Sequence, residues 1–129
     1  MLPFSLVFRS GVPVFEQVVF AAKKASVAGQ LRPGDTFPSV RVLSQELRIN
    51  PNTAHKVVGA LVAEGLLEVK PGIGTIVARA PTATRAQRRA LLRDEVERLV
   101  VEARKLGLDE QEVVDAVREQ WARLDRRQD

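Results

Sequence analysis

The stretch Phe37 to Val58 constrains the chain most, because it holds two helix starts in quick succession. Pro38-Ser39 precedes Val40, Leu43 and Leu47, which fall on one helical face, and Ser39 is a favourable N-cap. Asn50-Pro51 opens a second helix. Asn50 can cap its free amides, and Pro51 at the first helical position gives up no hydrogen bond. The start of this second helix gathers Asn50, Asn52, Thr53, His55 and Lys56. Such side chains on a helix N-terminus, whose own amides attract anions, have the layout of a helix-turn-helix that enters a DNA major groove.

Charge agrees with that reading. The net charge is +4. Residues 1–80 hold nine Lys/Arg and five acids, 9 − 5 = +4, whereas residues 81–129 hold eleven of each. All the excess therefore lies with the helix-turn-helix, and the remainder is balanced, as solvated helix faces are. The chain has no Cys, one His and no Tyr. Disulfides, thiolate sites and a metal at His55 are thereby set aside, and no cofactor is expected. The most apolar stretch, Val12 to Ala28, is interrupted by Glu16, Gln17, Lys23, Lys24 and Ser26. It is not a membrane span, and no signal peptide precedes it, so a cytoplasmic location is expected.

Taken in order, residues 4–9 alternate weakly and predict a short strand. Val14, Val18, Ala21, Ala22 and Ala25 predict a buried helix that stops at Gly29. Pro33-Gly34 fits a type II turn. The second helix of the helix-turn-helix is expected from Pro51 to Glu64, with Val57, Val58, Leu61 and Val62 inward and Gly65 as its stop. Residues 66–70 and 75–79 predict a hairpin about Pro71-Gly72-Ile73-Gly74, a wing whose glycines let the main chain approach phosphates. Residues 80–84 read as a linker. Beyond it, Leu92, Val96, Leu99, Ala103 and Leu106 form a narrow heptad-like seam that Gly107 ends. Asp109 and Glu112 predict a capping box for a last helix, which carries Val113, Val117, Trp121 and Leu124, and residues 125–129 are expected to fray. Two such helices in 49 residues (129 − 80) cannot enclose a sizeable core, so a second copy of the chain is the simplest cover. The fold class expected is mainly α (α+β): a winged helix-turn-helix over residues 1–80, followed by two dimerisation helices over residues 81–129.

The words Pro13-Val14-Phe15-Glu16-Gln17, Gly29-Gln30-Leu31-Arg32-Pro33-Gly34-Asp35, Pro38-Ser39-Val40-Arg41, Asn50-Pro51-Asn52-Thr53, Glu64-Gly65-Leu66 and Gly72-Ile73-Gly74-Thr75 stand in one order with tight spacing. Over Pro13 to Val77 the chain resembles the winged helix-turn-helix domain of the GntR superfamily of bacterial transcription regulators. Its short C-terminal region is similar to that of the YtrA-like subfamily, whose members are small repressors that dimerise through those helices. The resemblance implies DNA contact by Arg41, Asn50, Asn52 and Thr53, a helix start at Ser39, a basic contact at Lys56, a variable one at His55 and a wing at Gly72 and Gly74. Ile73 departs from the basic residue common at the wing tip, and Val58 from a frequent aromatic.

The function expected is that of a homodimeric repressor binding double-stranded DNA at a palindromic operator. A cleft between the C-terminal helices is a place for a small-molecule effector, although no constellation names one. The rival reading is a protein-interaction winged helix, which the polar, basic first turn disfavours. An enzyme is disfavoured because the carboxylates lie among arginines on charged faces, with no nucleophile–base pair. Plainer readings stand beside several residues: Arg41 paired with Glu46 or Asp35, Asn50 as a cap only, Trp121 in packing. Arg85, Arg88, Arg89 and Arg93 can touch phosphates, but Asp94, Glu95 and Glu97 nearby favour a solvated face.

Overall fold

A computed structural model describes residues 2–79 and 83–126. The described residues form two compact units, one on each side of residues 80–82. The linker expected at 80–84 lies partly outside the described residues, as do 127–129 of the expected tail.

The first unit contains α1 (Val14–Val27), α2 (Val40–Leu47), α3 (Pro51–Ala63), β1 (Leu67–Lys70) and β2 (Gly74–Val77). Val18, Ala22 and Ala25 of α1, Leu43 of α2, Ala54, Val57 and Leu61 of α3 and Leu67 and Val77 of the hairpin close one core. The inward residues of α3 recur at three- and four-residue steps, which is why a short helix can bury one face and leave another wet. Ser39 Oγ accepts from the Val42 amide at 3.2 Å, and Asn50 Oδ1 accepts from the Asn52 amide at 2.7 Å, so both expected caps form. Between them Arg48 takes a left-handed φ of 55°, where the Ile49 amide donates to the Ser44 carbonyl at 3.1 Å and Ser44 Oγ donates to the Ile49 carbonyl at 3.0 Å. This is the Schellman end that reverses the chain, usually made by glycine.

The hairpin is one residue offset from expectation. β1 begins at Leu67 and β2 runs 74–77, pairing antiparallel with Lys70 opposite Gly74. The Ile73 amide donates to the Lys70 carbonyl at 3.0 Å, and Gly72 at φ 79° supplies the conformation that a Pro-Gly type II turn requires. A connection not foreseen ties residues 34–37 to β2. Gly34 and Phe37 donate to the Val77 and Thr75 carbonyls, Val77 donates to the Asp35 carbonyl, and Thr36 bridges Ile76.

The strand expected at residues 4–9 does not form. Its backbone is claimed by a side chain instead. The Arg9 amide donates to Gln17 Oε1 at 2.9 Å, and Gln17 Nε2 donates to the Arg9 and Val12 carbonyls at 3.0 and 2.8 Å. Phe4 sinks into the core and stacks on Phe37 with ring centroids 6.2 Å apart. A buried amide with all these bonds made replaces the ladder that a strand would need.

The second unit contains α4 (Arg85–Arg89), a π-helical segment (Ala90–Glu95), α5 (Val96–Lys105) and α6 (Glu110–Arg126). Thr84 and Gln87 form a capping box at the start of α4. The Asp109–Glu112 box expected for α6 is made, at 2.8 and 2.9 Å. The π segment corrects the expectation of one regular helix carrying the seam. Its i→i+5 bonds insert a residue, so Leu92 leaves the register of Val96, Leu99 and Ala103. Leu106 falls just past the end of α5 and is 75% exposed.

Candidate nucleic-acid interface

On α3 the face opposite Ala54, Val57 and Leu61 carries Asn52, His55, Lys56 and Gly59, all exposed; Thr53 is half-buried at its margin. Asn50 lends its side-chain oxygen to the Asn52 amide, so its cap role is made and its amide nitrogen is the group left for a ligand. Ser39 and Arg41 are exposed at the start of α2. Among the described residues neither Arg41 nor Lys56 forms an ion pair, and Asp35, one plain partner considered for Arg41, accepts instead from the Arg32 amide at 2.9 Å. Lys23, by contrast, is paired with Glu64.

The start of α2 and the wing meet. Ser39, Val40 and Val42 share a cleft of about 670 Å³ with Thr36, Ile73 and Gly74. Gly72 and Gly74 are exposed there, and Ile73 stands out at the tip with 71% of its surface free. The arrangement can offer amide and ammonium donors from α3, a guanidinium from α2 and a bare main chain from the wing.

Within the second unit the expected seam residues divide. Val96, Leu99, Ala103, Val113 and Val117 line one cleft of about 710 Å³ between α5 and α6. Val114, expected beside Val113 on the last helix, lines it too, and Val100 and Leu108, which stood outside the heptad-like pattern, join them. Leu92, Leu106 and Trp121 do not line it, and Trp121 is 71% exposed. Gly59, at three- and four-residue steps from Lys56 and His55, shares the outer face of α3 and was not among the expected contacts.

Two helices joined by a tight turn, the second with a polar outer face, and a glycine-tipped hairpin define a winged helix-turn-helix of the transcription-regulator class. Residues 17–77 match the family described as bacterial regulatory proteins, gntR family, and form a helix-turn-helix domain of that family. It is 29% identical over 112 residues to the HTH-type transcriptional repressor YtrA of Bacillus subtilis (strain 168), with 86% of each chain covered. It shares its fold with a transcriptional antiterminator from Listeria monocytogenes EGD-e at a TM-score of 0.82 and 24% identity, over 94% of this chain and 91% of that one. The structure of AraR(DBD) in complex with operator ORX1 is similar at a TM-score of 0.52 and 28% identity, covering 58% of this chain and 96% of that one. Among the described residues no helix is long and apolar enough to cross a membrane.

Proposed function

We propose that the protein is a homodimeric transcriptional repressor that reads a palindromic operator with α3. The observation that carries this is the outer face of α3. Asn52, His55 and Lys56 sit there exposed, on the first two turns of a capped helix, with Lys56 unpaired among the described residues. A helix N-terminus of this make-up suits phosphate and base-edge contacts, and Asn52 has the donor–acceptor pair that matches adenine. Arg41 adds a fixed positive charge from α2, and Gly72 and Gly74 let the wing backbone lie close to a strand. That the similar AraR(DBD) was solved on operator DNA supports the same use here.

The dimer rests on the second unit. Only Ala103 is buried among its described residues, while Val96, Leu99, Val100 and Val117 of the cleft are exposed. Two copies facing each other through the α5–α6 cleft would remove that surface from water and, being related by a twofold axis, would present two α3 helices to two half-sites. Selection of bound sequences from a random duplex pool tests the reading. A palindrome is expected, and Lys56→Ala is expected to weaken binding evenly across sequences and to lower the salt slope by about one unit. Recovery of no sequence preference would sink the repressor reading and favour a protein-interaction module.

A further inference from the structure

We infer that Arg85, Arg88, Arg89 and Arg93 form a second contact for DNA phosphates, outside the winged helix-turn-helix. Like charges spaced three and four residues apart on a helix repel one another, and cations at a helix N-terminus oppose its dipole. All four residues are exposed, and none forms an ion pair among the described residues. The Thr84–Gln87 box caps the helix there, yet its first turn has no acid and its last turn is Arg88 and Arg89.

The rest of the second unit is built differently. From Asp94 onward acids and bases interleave, and on α6 Arg123 pairs with Glu119 at 2.8 Å. Residues 83–93 hold four arginines and no acid. A solvated face has no need of that segregation, and among the described residues Asp94, Glu95 and Glu97 form no ion pair with the four arginines.

The π segment sharpens the strip. At about 100° per residue an unbroken α-helix would carry Arg93 roughly 80° round from Arg85. A π turn takes about 4.4 residues, which brings Arg93 back to within about 20° of that line. The four guanidiniums then run along one face for about 12 Å. Over that length a duplex presents on the order of seven phosphate charges. DNA is the polyanion that fits, because the strip is joined to the operator-reading unit by eight peptide steps after Val77, at most about 28 Å of chain.

The inference rests on the DNA-binding reading, and its test separates the two. The full-length protein with all four arginines changed to Gln is titrated with a mixed-sequence duplex and with the selected operator at several salt concentrations. Each lost phosphate contact removes about 0.9 from the slope of log affinity against log salt, so a fall of about 2–4 per bound chain is expected, on both duplexes. The all-Lys variant, which keeps the charges, is expected to retain a slope within about one unit of the unaltered chain. A Gln variant whose slope stays within about half a unit, or a Lys variant that loses as much as the Gln one, overturns the inference. Failure of the unaltered chain to bind either duplex instead overturns the role given to α3.

Discussion

Gly59→Ala is expected to make the protein more stable. Gly59 lies in the middle of α3, and a Cβ built on it meets no heavy atom within 4 Å. Its φ is not in the left-handed region, so alanine takes the native backbone without strain. The glycine therefore brings only its cost, the greater freedom of the unfolded chain, and alanine at such a site is worth about 0.5–1 kcal/mol. With a urea slope of about 2 kcal/mol per molar, the unfolding midpoint rises by roughly 0.25–0.5 M with the slope unchanged. The measurement is made without DNA, since Gly59 shares its face with Lys56, and at fixed protein concentration, since association shifts apparent stability. A midpoint that falls would refute the reasoning, because it would mean that the outer face of α3 is packed against something.

Three further outcomes are expected. Leu61→Ala empties a fully buried site where α3 meets the core and costs about 2–5 kcal/mol, read as a lower urea midpoint; a change under 1 kcal/mol would contradict the packing described. Arg48→Gly relieves a left-handed residue costing about 1–2 kcal/mol against a smaller loss from the freer unfolded chain, so stability rises by about 0.5–1 kcal/mol, read as a higher urea midpoint; no gain would show that the turn is unstrained. Val117→Asp puts a carboxylate into the α5–α6 cleft and is expected to raise the dimer dissociation constant at least about 100-fold in sedimentation equilibrium, while an unchanged constant would move the interface elsewhere.

What could be read from the chain was what is decided locally. Ser39, Asn50 and the Asp109–Glu112 pair act within three residues of themselves, and each cap forms as the residue types imply. The core faces of α1 and α3 followed from spacing, because one wet side leaves little choice of rotation. Features settled by distant partners were not legible. Residues 4–9 alternate like a strand, but Gln17 takes the Arg9 backbone groups that pairing would use. Thr36 reaches Ile76 forty residues away. The π segment has no residue signature, and its phase shift takes Leu92 out of the register of Val96, Leu99 and Ala103. For the candidate site, the polar first turns of α3 were legible from the cap at Asn50-Pro51, and Asn52, His55 and Lys56 are exposed there.

The two capping boxes of the second unit bear on how two chains would find each other. Thr84–Gln87 and Asp109–Glu112 satisfy helix-start amides with neighbours in the same chain. Neither signal waits for a partner. Nucleation is the slow, unfavourable part of helix formation, and a cap offsets some of it before any encounter. In the proposed dimer, two chains so prepared would meet as rods that dock rather than coils that must order on contact. Their association rate is then governed by orientation and charge, and disrupting either cap would slow assembly even where it leaves every contact in the dimer untouched.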